Sequence, residues 1–482
     1  MPVSKDYLPI AGASGAQDTG VSVYKMSQSI RFDETRNTYL IKNFGNSNSK
    51  TFTLSFWWRI GQHPSVTSAR QTIFSAGASA GASFTLYHNH NSATIDGLTL
   101  SLTGSAEDIT LTRTFKDPSA WYHVVVACDS TDTVTTNRVR FYVNGLRESS
   151  FVSASYPSLN SDFYVNYAGG GTNTYWGARA GLSTGEMFDG YLAEINFIDG
   201  QALGPEHFGE FNAHDLWIPI EYSGTYGTNG YLIQGGTASA LGTDTSSNSN
   251  NFANSALQAS DQVLDNPTDV YEVMNPNDNY WSGYTFKSGN LDITRGGTTQ
   301  TGAVSTTLLS TGKWYAEVYM VGTAASTYTG VIGTQRTASN QVPGKLADGY
   351  SYENPSGNVY NNSSGTSHGS SFDVGEVLGI ALDLDNNKIF FSINGTFQNS
   401  SNPAAGSNGT SISATPGMGG YLFTVGDGGN ASGTPRVIWN FGQDSTFGGR
   451  VSAGTNTDTD GKGEFKYAVP SGFRRVSPAN FY

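Results

Sequence analysis

Apolar and polar residues alternate along much of this chain with a period of two. In TFTLSFWWRI, residues 51–60, Phe52, Leu54, Phe56 and Trp58 fall on every second position. That is the pattern of a strand with one buried face. QTIFSAG, SFTLYHNH, GLTLSL, WYHVVVACD, NRVRFYVNG and GYLAEINFIDG repeat the form between clusters of Gly, Ser and Asn. Strands at this spacing predict a β-sandwich. A second series starts near Tyr284 and includes KWYAEVYM, TGVIGTQ, GYSYENPSGNVYNN, GEVLGIALDLDNNKIFFSING, YLFTVGDGG and RVIWNFGQ. No helical stripe longer than two turns competes with either series. GPEHFGEFNA, residues 204–213, has room for one short helical turn.

Two of these runs end in Asn-Gly: NRVRFYVNG at 137–145 and LDLDNNKIFFSING at 382–395. Asn-Gly between apolar runs predicts a two-residue hairpin, because both central residues of a type I′ turn need φ > 0. The fold class is therefore all-β, with two tandem β-sandwich (jellyroll-like) domains. Residues 1–28 read as an N-terminal arm, 29–203 as the first sandwich and 284–482 as the second with a C-terminal tail. Between them, residues 204–283 are rich in Ser, Thr, Asn and Asp. A structureless stretch of that length is uncommon inside a compact protein. An ordered, extended connector is expected instead, packed on a sandwich through Trp217, Tyr222, Tyr226 and Tyr231.

Composition narrows the function classes. The 482 residues carry a formal net charge of −13, only 13% are charged, and 59 are Gly. An acidic surface repels phosphate backbones, so no nucleic-acid partner is expected. Cys128 is the sole cysteine and sits in an apolar run, which precludes an intramolecular disulfide and a multi-cysteine zinc site. No apolar run approaches the ~20 residues of a membrane span, so no membrane insertion is expected. MPVSKDYLPIAGASG lacks the apolar core of a signal peptide, which points to synthesis in a cytoplasm.

Three resemblances add to this reading. TFTLSFWWRI, the Trp121-Tyr122-His123-Val124 strand, RFYVNGLR and FDGYLAEINFIDGQAL together resemble the laminin-G-like, concanavalin-like jellyroll family. GKWYAEVYM, GEVLGIALDLDNNKIFFSING and WNFGQDSTF, followed by PSGF, resemble a SPRY domain. LWIPIEYSGTYGTNGYL with ASDQVLDNPTDVYEVMNPND is similar to segments of structural proteins of tailed bacteriophages, where a jellyroll, this connector and a SPRY-like domain recur in this order. The resemblance implies a virion protein of fibre, spike or capsid-appendage type, with other virion proteins as partners.

Several constellations could carry chemistry. EINFID, Glu194 to Asp199, is close to the Glu-x-Asp-x-x-Glu strand of jellyroll glucan hydrolases, whose paired carboxylates act as nucleophile and general acid. Here Asn196 and Asp199 replace two of the acids, and the flanking residues match the closing strand of a laminin-G-like module. No enzymatic activity is expected. His88 and His90 share a strand face, as some metal sites require, but no convincing third ligand follows. Asp383 and Asp385 alternate with Leu382 and Leu384 and face one way, and Asp189 precedes Gly190. These three are calcium candidates, with an ordinary strand and turn as the first reading of the Asp383–Asp385 pair. No other cofactor is indicated.

Glycan binding calls for exposed aromatics beside amide and carboxylate groups. Tyr164, Tyr167, Tyr175 and Trp176 lie in one Gly/Asn-rich stretch, and Tyr350, Tyr352 and Tyr360 in another. Placed on loop tips, they form the expected glycan- or partner-binding groups. The expected function is adhesion at a virion surface to a host polysaccharide or glycan, or assembly contacts there. The alternatives are a purely structural capsid or tail decoration protein and a glycan-degrading tailspike. A homo-oligomer is expected, with a trimer natural for a fibre.

Overall fold

A computed structural model describes residues 24–61, 70–92, 95–103, 108–167, 173–182, 186–278, 283–296, 300–324, 326–334, 341–429 and 433–477. The protein is all-β, and its helical residues form 3-10 turns of three residues. The chain divides into two compact units, one ending at Val270 and the other starting at Tyr271.

Among the described residues, the first unit holds two eight-stranded antiparallel sheets. Thr51–Ile60 lies at the centre of the first sheet, between Trp121–Asp129 and Gly190–Asp199. Arg70–Ser79 and Ala82–Ser92 lie at the centre of the second. Period-two alternation sends Phe52, Leu54, Phe56 and Trp58 from the first sheet into the core against Phe74, Phe84 and Leu86 from the second. Ring contacts bridge the layers, with Phe52–Phe84 centroids 5.4 Å apart and Phe56–Trp176 5.3 Å apart.

Residues 204–270 are built into this unit. Tyr231–Ile233 pairs with Gly190–Asp199, Gln262–Val263 with Ser29–Phe32, and Ala253–Ser255 with Tyr39–Asn43, so the segment extends both sheets. Its polar composition supports an irregular backbone instead of leaving it loose. Asp244 Oδ1 accepts from the amides of Leu232 (2.9 Å) and Ser246 (2.8 Å). The Asn248 and Asn250 side chains donate to the Gly230 carbonyl at 2.9 and 3.0 Å. Side chains of this kind satisfy backbone groups that no ladder reaches.

The same segment covers the outer face of the first sheet. Trp217 packs there with Trp57, Trp121, Tyr191 and Val263. His123 lies between Trp57 and Trp217, with centroids 4.8 and 5.9 Å away. Trp217 Nε1 donates to His123 Nδ1 at 3.0 Å, which leaves the proton on Nε2 facing Ser55 Oγ at 2.9 Å. Burial pushes the His123 imidazole down to about 3, so it is a neutral packing group.

The second unit has a nine-stranded sheet and a six-stranded sheet among its described residues. Lys313–Ala324 and Val377–Asp383 are central to the former, and Thr327–Ile332 to the latter. Leu378, Ile380, Leu382 and Phe391 meet Val331, Tyr352, Phe423 and Val425 between the layers. The chain after Asn440 returns across the outer face of the larger sheet, where Phe465 and Phe473 pack on Tyr315, Ala381 and Phe390.

Both Asn-Gly pairs form the expected hairpins. Asn144 and Gly145 have φ of 47° and 78°, and Asn394 and Gly395 have 49° and 80°. Each Asn side chain accepts an amide proton from the neighbouring strand, from His123 at 2.8 Å and from Val377 at 3.0 Å. An aromatic ring from later in the chain closes over each glycine. A Cβ at Gly145 would stand 2.3 Å from Trp217, and one at Gly395 would stand 2.7 Å from Tyr467.

Glu317 anchors the returning chain of the second unit. Its carboxylate accepts from the Lys466 and Tyr467 amides, each at 2.8 Å, and from Asn440 Nδ2 at 3.2 Å. Burial outweighs these donors and pushes the carboxyl from 4.5 up to about 7. The folded state therefore holds this proton more tightly than the unfolded chain. The associated stability is complete below pH 4.5 and is lost as pH rises through about 7, a change of about 3 kcal/mol. Urea unfolding of the second unit from pH 4.5 to 8 is expected to show this decline. Glu317→Gln is expected to remove that part of the slope, and an unaltered slope would assign the decline to other groups.

Candidate binding surface

The outer face of the second sheet in the first unit is polar but buried, its Ser and Thr side chains being 0–3% exposed. Ser75, Ser83, Thr85, Thr99 and Thr110 alternate with core residues and point away from the core. Ser75 and Thr85 hydroxyls lie 2.9 Å apart, as do Ser83 and Thr85, and Thr99 and Thr110 lie 3.2 Å apart. A narrow seam with no room for a water molecule runs along this face. Thr72, Thr85, Tyr87 and Ser101 contribute from the strands, with Arg70 at one strand's start. Arg179 and Glu186 contribute from the segment that follows Asn173–Trp176. The Arg70 guanidinium stacks on the Tyr87 ring at 4.8 Å. Arg179 Nη1 donates to both Glu186 oxygens, at 2.9 and 2.7 Å.

The aromatic residues singled out in the sequence do not gather at loop tips. Trp176 is fully buried in the core and donates to the Tyr231 hydroxyl at 2.9 Å. Tyr175, next to it on the same strand, is buried against Tyr39 on the outer face. Tyr350 and Tyr352 both face the core of the second unit, as their i, i+2 spacing in a strand requires. Their hydroxyls are engaged, Tyr350 accepting from the Ser413 amide at 3.1 Å and Tyr352 donating to the Ser370 carbonyl at 2.5 Å. Tyr360 is half-buried beside Tyr328, with centroids 5.4 Å apart. Tyr164 is half-buried against the first core, and Tyr167, 5.8 Å from it, is 37% exposed. Tyr167 and Tyr360 thus keep accessible ring surface, while Tyr175, Trp176, Tyr350 and Tyr352 do not.

The calcium candidates separate as well. Asp383 is buried, pairs with Lys313 Nζ at 2.9 Å and accepts from the Asn386 amide at 3.0 Å. Asp385 lies past the end of that strand, is exposed, and accepts from the Gly312 amide at 2.8 Å. The strand alternation that would have aligned the two carboxylates stops at Asp383. Asp189 is fully buried, and its side chain packs where a Cβ on Gly61 would sit. Among the described residues no three His, Cys, Asp or Glu side chains gather in a metal-holding group. His88 Nε2 faces Asp96 Oδ1 at 3.3 Å beneath Trp58; the His90 side chain lies outside the described residues.

The two acids of EINFID also part company. A bulge between Ala193 and Asn196 puts Glu194 at φ 48°. Its carboxylate is buried and accepts from Tyr24 Oη at 2.7 Å and Gln234 Nε2 at 3.1 Å. Burial pushes this carboxyl up. Asp199 accepts from Asn166 Nδ2 at 3.1 Å and the Asn229 amide at 3.0 Å, which ties two loops to the strand end. Each acid is held by protein donors in its own place.

Comparison with known proteins agrees with the two-unit architecture. The laminin-G-like family of the concanavalin A-like lectin and glucanase superfamily matches residues 33–207, and the SPRY family matches residues 313–405. The chain carries a laminin-G-like domain and a SPRY domain. No curated protein matches it. Among solved structures, the SPRY domain of human HERC1 is 18% identical over 31% of this chain and 87% of its own, with a TM-score of 0.25. Stonustoxin is 14% identical over 35% of this chain and 27% of its own, at 0.27. The heptameric SAP-like pentraxin of Limulus polyphemus is 18% identical over 35% and 78%, at 0.23. A laminin-G-like domain followed by a SPRY domain is compatible with a binding or adhesion role.

The hydroxyl-rich face of the laminin-G-like domain escaped the sequence reading, although one signal for it was present. Ser83, Thr85 and Tyr87 recur at period two in SFTLYHNH, opposite the apolar set Phe84 and Leu86. Arg179 and Glu186 carried no such signal, because neither lies in a strand.

Proposed function

We propose that this protein is a non-enzymatic adhesion protein of a bacteriophage particle, which holds host surface glycans through its laminin-G-like domain. The observation that carries the glycan reading is the Tyr164–Tyr167 pair of the laminin-G-like domain, whose rings lie 5.8 Å apart with Tyr167 37% exposed. An aromatic face suits the apolar side of a sugar ring. The virion setting is supported by the resemblance of the 216–232 and 259–278 segments to phage structural proteins. The assignment as non-enzymatic is supported by Glu194 and Asp199, whose oxygens are taken up by protein donors. The protein would act as a homo-oligomer, trimeric in a fibre, so that repeated weak contacts add up to firm attachment.

Purified protein on an array of bacterial surface polysaccharides tests the adhesion reading. Binding that is lost on replacing Tyr167, whose ring is 37% exposed, with Ala is expected. Binding to no glycan, with the chain located flat on the capsid lattice in a particle reconstruction, would leave a purely structural role. New reducing ends from a bound polysaccharide that vanish in Glu194→Gln would make the protein an enzyme.

A further inference from the structure

Side-chain amides draw one end of the first sandwich into a single surface. Three loops meet there, residues 45–50, 158–167 and 226–230, where Thr51 begins one strand of the first sheet and Asp199 ends its neighbour. Asn166 joins the loops. Its carbonyl accepts from the Ser47 amide at 3.3 Å, its Nδ2 donates to the Asn48 carbonyl at 3.3 Å, and its Oδ1 accepts from Asn229 Nδ2 at 3.0 Å. Asn229 Nδ2 also donates to the Gly45 carbonyl at 2.7 Å, and Ser49 Oγ donates to Asp162 at 2.6 Å. Beneath them the Asp199 carboxylate accepts from Ser47, Asn166 and Asn229. Asn166 and Asn229 are buried, so the loops are fixed before a ligand arrives. Tyr167 follows Asn166 directly and keeps its ring accessible beside Tyr164. Asn46 and Thr228 are exposed on the two adjoining loops.

The charge of this surface decides which sugars suit it. Lys50 and Asp162 are the only charged residues in the three loops, and no arginine is among them. Lys50 is half-buried, the Asp199 carboxylate lies behind the loops, and the whole chain carries −13. An acidic sugar would approach against that field and would give up water without meeting a fixed guanidinium. Amides and hydroxyls, which donate and accept together, match the hydroxyls of an uncharged sugar. We propose that this loop end selects uncharged saccharides, with Tyr167 stacked on a sugar ring and Asn46 and Thr228 bonded to its hydroxyls. This inference rests on the glycan-binding reading and adds the class of sugar.

The test is isothermal titration of the intact protein with tetrasaccharides of glucose, galactose and mannose, each paired with the uronate of the same configuration. The neutral and acidic members of the polysaccharide array supply the same comparison. At least one neutral sugar is expected to bind about tenfold or more tightly than its acidic counterpart. Its affinity is expected to change less than about twofold between about 20 and about 500 mM NaCl, since no ion pair is formed. Tyr167→Ala is expected to abolish this binding and Tyr167→Phe to keep it. Asn46→Ala is expected to weaken it about threefold or more, and this exposed position does not depend on how Tyr167→Ala folds. Acidic sugars binding as well as neutral ones, or binding confined to acidic polysaccharides, would overturn the selectivity while leaving glycan binding intact. Neutral binding that persists in both Tyr167→Ala and Asn46→Ala would overturn the site. No saccharide of any kind binding would overturn this inference and the glycan-binding reading together.

Discussion

Asp265→Asn is expected to lower the stability of the first unit by about 3–5 kcal/mol, the usual cost of breaking a buried ion pair from one side. Asp265 and Arg59 are both fully buried and paired through Asp265 Oδ2 and Arg59 Nη1. Asp265 Oδ1 also accepts from Trp121 Nε1 at 3.3 Å, and Arg59 Nε donates to the Pro118 carbonyl at 2.8 Å. Asparagine keeps the shape and an acceptor but removes the charge that balances Arg59. Hydrogen exchange over Thr51–Ile60, read by mass spectrometry, follows the first unit separately. Arg59→Met combined with Asp265→Leu is expected to recover most of the loss, since an apolar pair leaves no charge uncompensated. Wild-type protection in Asp265→Asn would mean that Arg59 has found another partner.

Trp217→Ala is expected to cost the same unit about 3–5 kcal/mol. The ring is 5% exposed, stacks on His123 and lies over Gly145. Its removal opens a cavity and lets water reach the imidazole. A second consequence follows from the same contact. Burial holds His123 down to about 3 in the intact protein, and loss of the cover is expected to bring its titration back toward the ordinary histidine range, visible by NMR. Trp217→Phe keeps the stack but loses the bond to His123 Nδ1, at about 1 kcal/mol. A His123 that stays neutral in Trp217→Ala would show that Trp57 and Phe208 exclude water without help.

Alternation in TFTLSFWWRI and the two Asn-Gly pairs made the strands, hairpins and tandem sandwiches readable from sequence, because both signals are local. The fate of residues 204–270 was less readable, since Tyr231–Ile233 and Gln262–Val263 take their strand partners from distant parts of the chain. For the site, the reading failed where it treated aromatics near Gly and Asn as loop residues. Tyr350 and Tyr352 share a strand face, and Trp176 ends the strand Asn173–Trp176, whose last three residues are buried. Arg179 and Glu186 lie outside the strands, where no periodicity marks a residue in the sequence.

Ser29–Phe32 pairs on one side with Gly190–Asp199 and on the other with Gln262–Val263, and the Ser29 hydroxyl bonds the carbonyl of Asp265, 236 positions away. On a ribosome that arrangement sets an order of events. The strand at residue 29 waits through the synthesis of most of its unit before its second neighbour emerges. Until then it is an open edge of unpaired amides and carbonyls, the kind of surface that recruits wrong partners. Contacts this long in sequence also make for slow closure. The last strand to arrive, more than the first to form, decides when this half of the molecule becomes safe in a crowded cell.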